Sequence, residues 1–358
     1  MARFRVAGIR FDHMHMGDLL RQVHDHPEAE IAAIYDPDPA KMRGAIETFG
    51  IPADRVFTDF DACMAAGPYD LAINCAATAD HAAVAEALAP HGCNVFVEKP
   101  FAASADDARR MIAAMEGTRR LMAINWPLAW VESHVTAKRL IDEGLIGELR
   151  EVRYYGGNRG PLYHLADKVE VSPEEVERQK PTSWWYKRAA GGGSLLDYMG
   201  YGATLGTWYM DGRAPVEITC AVDETPGIEV DQHAVAVLRY DTGLSKIETR
   251  WGTFTDPWVT QPQPFTGFTF AGSDGTMVSP DYAAAVRVQT RDRPEVHEIA
   301  VDPLPEGRRN GIEYVLGCID RGEAIGGPLA PDLCLLAQRI VDTAAASAAQ
   351  KRTLALLP

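Results

Sequence analysis

Asn94-Val95-Phe96-Val97-Glu98-Lys99-Pro100 is the stretch that decides how the chain folds. Its first four residues make a short apolar run of the kind a buried strand needs. A carboxylate, an ammonium and a proline follow, and proline suits the turn into a helix rather than a longer strand. Lys99 thereby stands at the carboxyl edge of a sheet, where open α/β sheets bind their ligands. The same rhythm extends on both sides. Segments 4–8, 31–35, 71–75 and 121–125 read as further strands, and 14–26, 40–49, 81–90 and 105–115 as amphipathic helices, the last opened by Ser104 as N-cap.

This alternation predicts the parallel sheet of an N-terminal Rossmann domain, residues 1–125, in a chain of class α/β, a fold that is complete with six strands. After Trp126-Pro127 the pattern changes. One helix, 132–142, is followed by strand-like runs at 149–155, 215–222, 233–240, 244–251, 267–271 and 284–290. Asp241-Thr242-Gly243 and Gly272-Ser273-Asp274-Gly275 punctuate them as turns. The second domain, 126–358, is expected to be α+β with an open, mostly antiparallel sheet serving substrate binding and oligomerisation. Two closing helices, 311–319 and 331–348, are expected to pack back on the first domain.

The chain has 358 residues, 46% apolar and 24% charged, enough for two domains and a buried core. A formal charge of −15 with no basic block argues against nucleic-acid binding. The first residues enter a strand pattern with no signal-peptide region, and no apolar run nears the roughly 20 residues of a membrane span. The 6 cysteines are scattered without CxxC pairs, which suggests reduced thiols and a cytoplasmic location.

A dinucleotide loop normally carries G-x-G-x-x-G, whereas this chain has Gly8-Ile9-Arg10-Phe11-Asp12-His13. Gly8 suits the tight turn, the N–H groups from Phe11 onward can face a pyrophosphate, and Arg10 can meet its charge. Asp36 ends the second strand, where a carboxylate takes the ribose hydroxyls of NAD; its other reading is the start of the Asp36-Pro37-Asp38-Pro39 turn. Lys41 and Arg43 lie close enough to admit NADP. Ala76 and Ala77 let a flat ring approach the sheet edge, or simply pack closely.

A second unusual stretch is Gly191-Gly192-Gly193-Ser194-Leu195-Leu196-Asp197-Tyr198-Met199-Gly200-Tyr201. It reads as a flexible glycine entrance to a helix that places Asp197 and Tyr201, i and i+4, on one face. With Glu98-Lys99-Pro100 it resembles the glucose–fructose oxidoreductase / inositol dehydrogenase / MocA-like family, over essentially the whole chain. The resemblance implies an NAD(P)-dependent dehydrogenase or reductase acting on a sugar, cyclitol or related polyol, as a homodimer or homotetramer. It also implies that Lys99 bridges the nicotinamide ribose and the reacting hydroxyl, with Glu98 orienting it and His81 retained beside Ala76 and Ala77 at the cofactor. Asp197 matches the family's acid, Thr204 a downstream Asp or Asn, and Tyr201 the usual histidine. A phenol titrates near ~10, so Tyr201 exchanges the proton as a base only if Lys99 lowers its pKa, and it suits carbonyl reduction at least as well.

For the substrate, His164, Trp185, Arg159 and Asn125 offer aromatic faces and polar tips suited to a sugar. A subunit interface or a core corner is the other reading of the aromatic stretches. The family's arginine after the sixth strand is absent, Asn125-Trp126-Pro127 standing there instead. His13 and His15 are expected to turn apart at a helix start and to bind no metal, having no third ligand. Two other functions remain open: glycoside cleavage by transient oxidation, and a cofactor-sensing regulator without catalysis.

Overall fold

The structure, a computed structural model, describes residues 3–358. The first part alternates β1 (Phe4–Ile9), α1 (His15–Asp25), β2 (Ala29–Tyr35), α2 (Pro39–Phe49), β3 (Val56–Phe57), α3 (Phe60–Ala65), β4 (Leu71–Asn74), α4 (His81–Leu88), β5 (Asn94–Glu98), α5 (Ala105–Glu116) and β6 (Met122–Asn125). Its strands form one parallel sheet in the order β3-β2-β1-β4-β5-β6. The order reverses between β1 and β4, which opens a crevice at their carboxyl ends. Every residue of β4, β5 and β6 is buried, as helices on both faces of a parallel sheet require. Ser104 caps α5, its hydroxyl accepting the Asp107 N–H at 3.1 Å. β3 and α3 go beyond the elements read from the sequence, because a two-residue strand carries no periodicity.

The second part contains α6 (Glu132–Asp142), β7 (Leu149–Asn158), α7 (Pro173–Gln179), α8 (Ser194–Tyr209), β8 (Glu217–Val222), β9 (His233–Arg239), β10 (Leu244–Trp251), β11 (Gly267–Gly272), β12 (Gly275–Pro280), β13 (Ala285–Thr290) and β14 (His297–Ala300). α9 (Gly311–Arg321), α10 (Pro331–Gln350) and β15 (Leu354–Ala355) close the chain. Nine strands form one sheet in the order β14-β13-β12-β11-β7-β10-β9-β8-β15, with only β7 and β10 parallel. β12, β14 and β15 are additions to the strands expected; the 272–275 turn is the tip of the β11–β12 hairpin.

α8 lies on the inner face of this sheet. A Cβ at Gly202 would come within 2.7 Å of Tyr154, and one at Gly200 within 2.4 Å of Trp126, so the helix needs both glycines to seat. The closing helices reach the first sheet: the Ala105 N–H donates to Asp342 Oδ2 at 2.6 Å and Trp126 Nε1 to Cys334 Sγ at 3.4 Å. One apolar core therefore runs through both sheets. All six cysteines are free and buried, and no helix among the described residues is long and apolar enough to cross a membrane.

Candidate active site

β5 ends where α8 begins to pass over the crevice, and that crossing brings Lys99 to Asp197. Lys99 Nζ donates to Asp197 Oδ1 at 2.5 Å, with the two residues only 5% and 3% exposed. The other carboxylate oxygen, Oδ2, accepts the indole N–H of Trp251 from the end of β10 at 2.9 Å. The ammonium also faces the rings of Trp185, Tyr201 and Tyr198 at 5.4, 5.7 and 5.9 Å. Lys99, Asp197, Trp185, Tyr198 and Tyr201 border a cavity of about 330 Å³, shared with His15, Asn125 and His164. Three of the residues expected at the site, Lys99, Asp197 and Tyr201, are thus together. Thr204 is enclosed and does not border the cavity.

The glycines before α8 are fixed, not flexible. Gly191, Gly192 and Gly193 donate their N–H groups to the carbonyls of Arg188, Lys187 and Trp185 at 3.0, 3.0 and 3.1 Å. A Cβ at Gly192 would sit 2.1 Å from the Trp185 carbonyl oxygen, and Gly193 has φ 112°, so both positions demand glycine. Asp231 completes the helix start, its Oδ2 accepting the Leu195 N–H at 2.6 Å.

Burial pushes the Tyr201 phenol well above its ordinary pKa, and nearby Glu98 adds to the effect. The condition for Tyr201 to serve as a base, a cation that lowers its pKa, is not met: the Lys99 ammonium is paired with Asp197 and burial raises the phenol. Burial holds His164 down at about 4, so this ring is neutral; it packs edge-on against Trp258 at 4.7 Å, and its Nδ1 is enclosed without a partner among the described residues.

Glu98, read from the sequence as orienting the lysine and touching the cofactor, turns the other way. It is 0% exposed, accepting from Asn125 Nδ2 on Oε2 and facing His15 Nδ1 across Oε1, both at 2.7 Å. His13 Nε2 lies 4.0 Å from the same Oε1. The reading that His13 and His15 turn apart does not hold. His13 precedes α1 and His15 opens it, so their ring centroids come to 4.3 Å, and Glu98 is a third group with ligand atoms within 4.8 Å of theirs. The bonding is that of a carboxylate collecting donors. His13 Nδ1 accepts the His15 N–H at 3.1 Å, which leaves the proton of its neutral ring on Nε2.

At the 8–12 loop, a Cβ on Gly8 would press on Met16 Sδ at 3.1 Å, and Arg10 takes φ 67°, the left-handed conformation that a second glycine would adopt. The Phe11 N–H donates to Asp36 Oδ2 at 2.7 Å and the Asp38 N–H to Oδ1 at 2.9 Å. Ala77 donates its N–H to Asp12 Oδ2 at 3.2 Å, while Lys41 and Arg10 pair with Asp12 at 2.5 and 2.9 Å. The frame, the acid after β2, the small residues after β4 and two cations at the mouth fit a dinucleotide. Its pyrophosphate would take Arg10 and Lys41 from the Asp12 carboxylate. Trp184 Nε1, from the segment before α8, donates to the Asp12 carbonyl at 2.9 Å.

Two expected contacts serve elsewhere. His81 is buried between the carbonyls of Ala76 and Phe101, at 3.0 and 3.1 Å, so it braces the loop instead of reaching a cofactor. Arg159 is clamped by Asp256 at 2.7 Å and Glu170 at 3.0 Å and does not border the cavity, which argues against a substrate contact. Trp185 does border it, stacked on Trp184 at 3.9 Å. Sequence reasoning missed Trp251, Tyr198, Trp258 and Lys168, whose Nζ lies over the rings of Trp258 and Tyr282 at 5.3 and 4.8 Å. Only the aromatic character of these stretches could have signalled them.

Comparison with known proteins agrees with this architecture. Residues 3–125 match a family described as an oxidoreductase family with NAD-binding Rossmann fold, and residues 134–278 match the GFO/IDH/MocA C-terminal domain. An inositol 2-dehydrogenase of Burkholderia vietnamiensis is 32% identical over 120 residues, 33% of this chain and 35% of that protein. A D-apiose dehydrogenase of Rhizobium rhizogenes is 30% identical over 132 residues, 36% of this chain and 38% of its own length. The chain thus matches little more than a third of the length of these relatives. The fold of the whole chain is that of an aldose-aldose oxidoreductase from Caulobacter crescentus complexed with glycerol, with a TM-score of 0.79, 20% identity and 99% and 100% of the two chains covered. The chain belongs to the GFO/IDH/MocA family of NAD-binding oxidoreductases.

Proposed function

We propose that this protein is an NAD-dependent oxidoreductase that moves a hydride between nicotinamide and a carbinol or carbonyl carbon of a sugar, cyclitol or related polyol. The observation that carries the reading is the enclosed Lys99–Asp197 pair at the carboxyl edge of a Rossmann sheet, bordering a cavity with Tyr201. The named activities of the relatives, on inositol and D-apiose, favour the same substrate class.

NAD, when bound, supplies the hydride acceptor or donor. The protein's part is positioning and proton handling. Lys99 Nζ has three donors and Asp197 takes one of them, which leaves others for the reacting oxygen. Tyr201, kept protonated by burial, gives that oxygen a second hydrogen bond, an arrangement suited to a carbonyl or a developing alkoxide. The Asp197 oxygens retain lone pairs for a substrate hydroxyl. Asp36, enclosed after β2, favours NAD, since a 2′-phosphate would meet a carboxylate. A homodimer or homotetramer through the outer face of the nine-stranded sheet, where Val237 and Leu244 are exposed, accompanies the reading.

The test is a thermal-shift panel with NAD and NADP, followed by absorbance at the reduced-nicotinamide band with sugars and cyclitols. NAD is expected to stabilise the protein and to be turned over with a polyol. Absence of binding by either cofactor would end the reading.

A further inference from the structure

We propose that His15, held by Glu98, is the proton acceptor of this site, taking the substrate hydroxyl proton that Tyr201 cannot accept. The inference rests on the dehydrogenase reading above and adds a residue of α1 to its chemistry.

The geometry begins with Glu98. As an enclosed carboxylate it can only accept, and Asn125 Nδ2 already occupies Oε2 at 2.7 Å. His15 Nδ1, 2.7 Å from Oε1, must then be the donor. This places the imidazole proton on Nδ1 and the lone pair on Nε2, the tautomer a general base needs. The His15 ring borders the cavity, 18% exposed, and Nε2 has no hydrogen-bond partner among the described residues. The ring thus lines the same cavity as Lys99, Asp197 and Tyr201.

The charged and titratable groups near His15 include Glu98 from β5, His13 from the turn before α1, Asp18 from its own helix and His164 from the loop after β7, and Lys99 and Lys168 border the same cavity. His13 and His164 are both held neutral by burial, so neither opposes a positive charge on His15. Glu98 stabilises that charge directly. The pair reproduces, in a different part of the fold, the logic of an imidazole oriented by a buried carboxylate.

In oxidation, the C–H bond of the carbinol breaks with hydride transfer to the nicotinamide, and the O–H bond breaks with proton transfer to His15 Nε2, directly or across one water. The carbonyl π bond forms, and the imidazolium over Glu98 releases its proton through the cavity mouth. Reduction retraces the same path. Lys99 and Tyr201 keep their role as donors to the oxygen throughout.

Four measurements decide the matter. Two-bond ¹H–¹⁵N NMR of the ligand-free protein should find His15 protonated on Nδ1, and finding the Nε2–H tautomer would overturn the inference. His15→Ala should lower kcat on the order of 10²-fold or more, with NAD binding and thermal midpoint near wild type. Added imidazole should restore at least tenfold of that loss in a concentration-dependent way, which a merely structural role would not allow. A His15→Ala protein within threefold of wild type, or a folded, NAD-binding variant that imidazole does not rescue, contradicts the proposal. Glu98→Gln should lower kcat as well and remove the fixed tautomer. Should the wild type turn over no polyol with either cofactor, the dehydrogenase reading fails first, and with it a proton acceptor for that reaction.

Discussion

Lys99 and Asp197 illustrate how much a single enclosed pair can carry. Removing one partner leaves the other's charge buried without compensation, which typically costs about 3–5 kcal/mol. Lys99→Met is therefore expected to lower the urea midpoint markedly and to abolish turnover. Lys99→Met combined with Asp197→Leu should recover much of the stability and none of the activity, which separates the two roles of the pair. Tyr201→Phe should leave the fold intact, since the ring packs against Trp126 at 5.2 Å, and cost on the order of 10²-fold in kcat through the lost donor. A rate unchanged by Tyr201→Phe would remove Tyr201 from the chemistry. The strand-end place of Lys99 and the shared helix face of Asp197 and Tyr201 were legible in the sequence because both are local properties, whereas their meeting at one cavity was implied by the family resemblance. The His15–Glu98 contact was not, because it depends on β1, β4 and β5 being neighbours, and adjacent spacing in the sequence pointed the wrong way.

At the level of elements, α8 is held by close contact more than by helix propensity. Gly192→Ala would drive a Cβ to 2.1 Å from the Trp185 carbonyl, and Gly200→Ala one to 2.4 Å from the Trp126 ring. Each is expected to destabilise by about 1–3 kcal/mol and to displace Asp197 from Lys99, read as a lower thermal midpoint with reduced kcat. Gly44→Ala is the contrasting case. It lies within α2, where an added methyl would meet nothing within 4 Å, so alanine should stabilise by about 0.5–1 kcal/mol. Apolar runs marked the strands of the parallel sheet well, since β4, β5 and β6 are buried on both faces. β3, β14 and β15 escaped because two- to four-residue strands, held by their neighbours, carry too little pattern of their own.

Across the whole molecule, buried neutral histidines contribute a loss of stability in acid, against which the buried Asp231 carboxyl, raised to about 6, acts with the opposite sign. The unfolded chain protonates an imidazole near 6.5, whereas native His164 stays neutral down to about 4, and burial lowers His13 and His81 too. Between those values the unfolded state binds more protons, so stability should fall as pH drops from 6.5 toward 4. His164→Gln should flatten that fall by an amount on the order of 3 kcal/mol at most, measured as urea unfolding free energy at pH 7 and pH 4.5. An identical slope in the variant would show that His164 is not the group responsible. At this scale the two-part architecture was readable from the change in rhythm after Trp126, while the seating of α10 on α5 through Asp342 and Ala105 depends on contacts far apart in sequence. The central claim is hydride transfer at the Lys99–Asp197–Tyr201 cavity, and deuterium tracing tests it most directly. With [4R-²H]- and [4S-²H]NADH tested separately on carbonyl forms of sugars and cyclitols, wild type should place deuterium from one of the two on the carbinol carbon of the product and Lys99→Met should not; NADH that binds yet yields no reduced product from any carbonyl with either label would contradict the account.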